Sequence, residues 1–178
     1  GYIKEAPLKA IRPYLDAANI DLKGFSENFY KKVCKADIKG VLDTIRLYKK
    51  LEIWIEITTL IIPGYNDSED ELRNIARFIK EDIGAETPWH VSAFYPTYKL
   101  LDPPRTSLHI LHRARQIGIE EGLRYVYEGN VPGSDGENTY CYNCKKPIIK
   151  RYGYSIIDYS IEDGACRFCK ATIDGIGL

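Results

Sequence analysis

From residue 1 to about 130, short apolar runs alternate with stretches whose apolar residues recur every three or four positions. That alternation predicts βα units and a mostly parallel sheet. The first strand is expected at 17–24, AANIDLKG. Over 37–50, Asp37 is placed to cap a helix whose Ile38, Val41, Leu42, Ile45 and Tyr48 fall on one face. Residues 52–62, EIWIEITTLII, are β-branched, aromatic and nearly uncharged, as expected of a strand covered on both faces, and PGYND ends it as a turn.

Ser68 and Glu71 have capping-box spacing ahead of a helix that presents Leu72, Ile75, Ala76 and Ile79 on one side. A third strand, 88–96, PWHVSAFYP, leads through a Pro-rich loop to a helix from near Thr106 to near Gly122. A short strand at 124–130, RYVYEGN, completes this part. Four parallel strands do not close a barrel, which takes about eight in its standard form. The sheet is therefore open or belongs to something larger.

The pattern changes at 131–138, a Gly, Pro and polar linker, and 139–178 carries four of the five cysteines. The expected organisation is a partial α/β barrel over 1–130, the linker, and a four-cysteine metal-binding module over 139–178. Cys141-x-x-Cys144 and Cys166-x-x-Cys169 are separated by 21 residues, 145–165, close to the spacing of paired metal knuckles. Two such turns complete a tetrahedron of thiolates around zinc, or around iron in rubredoxin style. The intervening KPIIKRYGYSIIDYS reads as a hairpin bent near RYG. So small a module buries little apolar surface, and a metal would supply much of its stability. Two disulfides are the alternative, which Cys-x-x-Cys geometry and a reducing compartment disfavour. A site filled by four thiolates leaves no position for substrate, so it is structural.

Lys plus Arg equals Asp plus Glu at 25 each, so no global field selects a nucleic acid or an anionic membrane. The tail, 138–178, has six Lys and Arg against four Asp and Glu, too little for a nucleic-acid stripe. No apolar run is long enough to span a membrane and no signal peptide opens the chain, so a cytoplasmic protein is expected. Abundant Lys, Glu and Tyr, with one Gln and no Met, lean towards a heat-adapted source.

In parallel βα folds, chemistry gathers at the C-terminal ends of strands. Asp21 and Lys23, two apart, point to one face there. They make either a site for a zwitterionic or polyhydroxylated ligand or a solvated ion pair. His90, between Trp89 and Val91, is either a core histidine or a functional one. His109 and His112 read as packing residues, and Cys34 as a half-buried thiol.

The order DLKG, IPGYND, PWHVSAFYP and EGN, followed by the four-cysteine tail, resembles the C-terminal part of radical S-adenosylmethionine enzymes related to pyruvate formate-lyase activating enzyme. Within them it is most similar to the AmmeMemoRadiSam-system proteins. The resemblance covers essentially the whole chain. It implies the C-terminal half of a partial TIM-type (β/α)6 barrel that holds S-adenosylmethionine and a [4Fe-4S] cluster. It carries cofactor contacts over to Asp21, Lys23 and His90, and packing against the adenosine to 62–67.

Two departures matter. The cluster motif Cys-x-x-x-Cys-x-x-Cys is absent, and so is the Gly-rich stretch that holds the methionine amino group. GYI resembles the end of a turn after the third barrel strand, so the chain is expected to begin midway through the barrel. The cluster and S-adenosylmethionine are then expected only with the missing N-terminal part, and the chain alone is expected to be inactive. Its expected partners are that missing half, or a second copy covering the sheet edge, and a substrate that the sequence does not identify. Two other readings remain open: a zinc-ribbon binding module on an α/β scaffold, and a non-radical barrel enzyme using Asp21, Lys23 and His90 in acid-base work.

Overall fold

Four of the five α-helices start where a side chain meets their first unpaired N–H groups. The structure, a computed structural model, describes residues 1–178. Its first part runs α1 (Glu5–Ile11), β1 (Ala17–Asp21), α2 (Glu27–Phe29), α3 (Ile38–Lys50), β2 (Trp54–Ile61), α4 (Glu69–Phe78), β3 (Trp89–Ala93), α5 (Leu108–Glu120) and β4 (Val126–Gly129). Asp37 caps α3 by accepting from the Lys39 N–H at 2.8 Å, Ser68 caps α4 and Ser107 caps α5. α5 thus begins at Leu108, two residues past Thr106. That threonine is buried instead, donating to the Ile61 carbonyl at 2.6 Å and accepting the Phe94 N–H at 2.8 Å.

Ser68 and Glu71 do not form a reciprocal capping box. The Ser68 hydroxyl accepts the Glu71 N–H at 3.3 Å, but the Glu71 carboxylate turns away to take the N–H groups of Phe25 and Ser26, at the start of α2. α4 opens into a wide π turn over Ile79–Ile83 that Gly84 closes at φ 135°, a conformation closed to most L-residues.

The four strands form one parallel sheet in the order β1-β2-β3-β4. Ile20, Ile57, Ile61, Trp89, Val91 and Val126 lie in a core cluster of 27 buried residues with Leu72 and Ile75 of α4 and Leu111 and Ile117 of α5. Every second residue of β2 is buried and the residues between are half-exposed. The strand is therefore covered on one face only. The apolar run gave no warning because Thr58, Leu60 and Trp54 on the open face are themselves strand formers. Parallel sheets normally bury both faces, so this open face is the principal irregularity of the fold.

The second part carries β5 (Thr139–Tyr140), β6 (Pro147–Tyr152) and β7 (Ser155–Tyr159) in one antiparallel sheet, then the pair β8 (Ile161–Glu162) and β9 (Ala165–Cys166). The expected hairpin is present, turning at Gly153 with φ 56°. A smaller cluster joins Cys141, Ile148, Ile149, Ile161, Cys166 and Ile173 to Tyr125 beside β4. Tyr125 and Tyr127 thus dock this part on the sheet; the Tyr127 hydroxyl lies 3.0 Å from Thr139 Oγ1. No helix is long and apolar enough to cross a membrane.

Candidate functional site

Strand register assembles the open face. Asp21 pairs with Thr58, Thr58 with His90, and His90 with Tyr127, so these four side chains form one row across the sheet. With neighbouring strands about 4.8 Å apart, Asp21 and His90 sit roughly 10 Å from each other. Asn19 and Glu56 occupy the row behind, and Ser92 and Gly129 the row ahead. The face is polar throughout its middle, which suits a ligand better than a packed barrel core.

Lys23 lies just past the end of β1, and its ammonium is 3.0 Å from Asp21. Both side chains are well exposed, so the pair adds little stability and both heads remain reachable. The backbone beneath them is held tightly. The Lys23 N–H donates to the Tyr30 hydroxyl at 3.0 Å, and Thr59 donates to the Leu22 carbonyl at 2.8 Å. Asn66 is buried and uses its whole amide: it donates to the Lys23 carbonyl at 2.6 Å and to the Leu60 carbonyl at 2.9 Å, and accepts the Ile62 N–H at 2.6 Å. One asparagine in the 62–67 turn thereby fixes the ends of β1 and β2 together. Burial pushes the Tyr30 phenol up to about 12, so it stays a neutral partner.

His90 is held by two contacts. Its Nε2 lies 2.6 Å from Glu56, and its ring stacks on Tyr127 with centroids 5.0 Å apart. The hydrogen bond from His90 holds the Glu56 carboxyl below its usual range despite partial burial. Arg151 of β6 reaches the same place, 5.8 Å above the Tyr127 ring. His90, Glu56, Tyr127 and Arg151 line an open cleft of about 720 Å³ between the sheet and the four-cysteine part, with Tyr95 and Tyr154 also on its walls.

The four cysteines converge elsewhere in that part, with Cys141 and Cys166 in the cluster that includes Tyr125. Cys141 and Cys169 Sγ are 3.6 Å apart, Cys144 and Cys166 Sγ 3.8 Å, and all four lie within 4.8 Å of one another. A tetrahedral ion with metal–sulfur bonds of about 2.3 Å sets its sulfurs about 3.8 Å apart, whereas a disulfide requires about 2.05 Å. The donor set therefore fits one metal ion, and no cysteine is disulfide-bonded.

The two knuckles share one backbone pattern. The N–H of Lys145 donates to the Cys141 carbonyl and that of Lys170 to the Cys166 carbonyl, at 2.9 and 2.8 Å. Both lysines are left-handed, at φ 61° and 60°. The Ala171 N–H pulls the Cys169 thiol down to about 6, while burial pushes Cys141 up to about 12. A bound cation would hold all four as thiolates.

Asp21, Lys23 and His90 thus share the open face, and the four cysteines a separate metal site. Sequence reasoning missed Glu56 and Arg151. The signal for Glu56 was a lone carboxylate inside an apolar run; Arg151 gave none, because only the fold of the tail brings it to the cleft. His112 does have a partner, a 2.6 Å contact with buried Glu128, whose other oxygen accepts the Ser134 hydroxyl. This group ties α5 to the 131–138 segment on the helix side of the sheet. Cys34 is half-buried and its thiol is pushed up by burial, a poor nucleophile.

No family model matches the chain. It is 52% identical over 176 residues, 98% of its length, to an uncharacterized protein of Methanocaldococcus jannaschii, MJ0808. The chain spans 52% of the length of that curated relative. Among solved structures it is similar to a domain of pyruvate-formate lyase-activating enzyme from Bacteroides vulgatus, with TM-score 0.62 and 17% identity over 71% of this chain and 75% of that one. It is also similar to a radical SAM methyltransferase from Sphaerobacter thermophilus, with TM-score 0.53 and 14% identity over 71% of this chain and 41% of that one. The likeness is one of fold: the chain has a parallel α/β sheet of the kind found in radical S-adenosylmethionine domains, and a four-cysteine group able to bind a metal.

Proposed function

We propose that the chain is the S-adenosylmethionine-binding C-terminal half of a radical enzyme barrel related to pyruvate formate-lyase activating enzyme, of the AmmeMemoRadiSam type. The observation that carries this reading is the open polar face, with Asp21 and Lys23 paired at 3.0 Å at one strand end and His90 in the same row two strands away. An ammonium and a carboxylate side by side complement the carboxylate and amino group of a methionyl end. His90, anchored by Glu56 and Tyr127, faces the remainder of the ligand, and the Asn66 turn sets the height of the loop against which an adenosine would lie.

In this reading S-adenosylmethionine supplies the carbon–sulfur bond that an iron–sulfur cluster breaks reductively. The cluster itself does not fit this chain. Four cysteines belong to the closed metal site and Cys34 stands alone, so no Cys-x-x-x-Cys-x-x-Cys set is present. This chain's own residues bind and orient the cofactor. A partner, either the other half of the barrel or a second copy, covers the open face and contributes the cluster or the closure. Free cysteines holding zinc or iron fit a reducing, cytoplasmic setting.

A second reading has one observation in its favour. All five residues of β7 are exposed, among them Ile156 and Ile157, which suits a module that docks on another protein.

Calorimetric titration of S-adenosylmethionine into the metal-loaded chain tests the first reading. Saturable binding is expected, weakened at least tenfold by Lys23→Ala and by Asp21→Asn and unchanged by Arg167→Ala. No binding, or binding indifferent to Lys23, would refute it. The chain with dithionite and S-adenosylmethionine is expected to yield no 5'-deoxyadenosine.

A further inference from the structure

The cleft between the sheet and the four-cysteine part contains a guanidinium, that of Arg151, with no direct ion-pair partner. Arg151 Nη1 donates to the Glu137 carbonyl at 3.2 Å and to Thr139 Oγ1 at 2.7 Å, both uncharged acceptors. It makes no salt bridge, although the chain has many. The carboxylates around the cleft are already engaged. Glu56 lies 2.6 Å from His90, Glu137 Oε2 accepts the N–H groups of Gly133 and Gly153, and Glu128 is buried against His112 and Ser134. The remaining guanidinium donors are therefore free, fixed in place by β6 and by the face of Tyr127.

We propose that this cleft receives the carboxylate of a small planar or aromatic substrate, with Arg151 as its receptor. A guanidinium matches a carboxylate in two parallel hydrogen bonds. The planar guanidinium, already bonded on one side to two neutral acceptors, has room for a single carboxylate, and the neighbouring Glu56 and Glu137 oppose a phosphate dianion more strongly than a monoanion. Tyr95, Tyr127 and the exposed ring of Tyr154 give the same walls an aromatic character that suits a flat body, and about 720 Å³ lies within the usual range for small-molecule sites. Glu56–His90 forms the floor, so the molecule would rest beside the residue assigned above to the cofactor.

The four-cysteine module then has a second task. A metal bound there would hold the fold from which β6 extends Arg151, and Gly153 and Tyr154 at the hairpin turn line the cleft. The proposal names the class of the second molecule for the function proposed above, and it rests on that reading only in calling the molecule a substrate.

The test uses benzoate, benzamide and inorganic phosphate with the full metal-loaded chain, followed by NMR of the arginine Nε–H and backbone signals. Benzoate is expected to saturate, shifting Arg151 and Tyr127. Benzamide and phosphate are expected to bind at least tenfold more weakly. Arg151→Gln should lose benzoate at least tenfold while keeping its metal, and should leave S-adenosylmethionine affinity within twofold. Because Arg151→Gln also removes the bond to Thr139, the unsubstituted chain decides independently: equal binding of benzoate and benzamide, or no benzoate binding, overturns the proposal. If benzoate binds as expected while S-adenosylmethionine does not, the carboxylate site stands and the cofactor reading falls.

Discussion

Asn66 is the residue that ties the ends of β1 and β2 together. Its amide makes three hydrogen bonds, one buried and two partly buried, that tie Lys23, Leu60 and Ile62 together. Asn66→Ala leaves those backbone groups without partners, at a cost of about 2–4 kcal/mol. Chemical denaturation should show that loss, with S-adenosylmethionine affinity falling at least tenfold. The motif around Asn66 was readable in the sequence, as was the shared direction of Asp21 and Lys23 from their spacing. That Asn66 pins the β1 loop was not, because a bond spanning 43 positions has no local signature.

Glu56 carries a prediction about pH. Its carboxyl is lowered in the folded chain by His90, so its contribution is present above the unfolded value of about 4.3 and is lost as pH falls through the lower, folded value. Thermal midpoints of the wild-type chain and Glu56→Gln should therefore differ near neutrality and converge as pH drops below about 4. A constant difference across that range would exclude the pairing.

Among the elements, α4 and α5 are joined by a network rather than by isolated pairs. Arg73 meets Glu69, Glu120 and Glu121; Arg77 meets Glu121; and Arg113 meets Glu69 and Glu120. Shared exposed charges of this kind gain weight at high temperature and are screened by salt. Arg73→Ala should lower the thermal midpoint in low salt, and the difference should shrink in about 1 M salt. Composition had hinted at heat adaptation, but only packing shows which charges meet.

The four-cysteine module was the most legible element, because two knuckles of fixed spacing have one common solution. Its docking through Tyr125 and Tyr127 was not legible, since those tyrosines lie in the sheet part of the sequence. Chelation of the metal should collapse the amide spectrum of 139–178 and broaden Tyr127, while core strands β2 and β3 keep their hydrogen-exchange protection. Uniform loss of protection across both parts would show a single cooperative unit instead.

At the scale of the whole molecule, the alternation of strands and helices announced a parallel sheet, and the structure places four strands in sequence order. The sequence did not announce the open face. Strand formers such as Thr58 and Leu60 occupy it as readily as they would a buried one, so the apolar run looked covered on both sides. On the structure, that face carries the paired Asp21 and Lys23 and the anchored His90, and Arg151 of β6 reaches it at Tyr127.

An NMR footprint of S-adenosylmethionine on the metal-loaded chain tests this account most directly. The account predicts saturable shifts at Lys23, Asn66 and His90, with the methionyl end nearest Asp21 and Lys23 and the helix-side residues Leu111 and Ile117 unmoved. A ligand that shifts none of the three, or that shifts only the four-cysteine module, would contradict it.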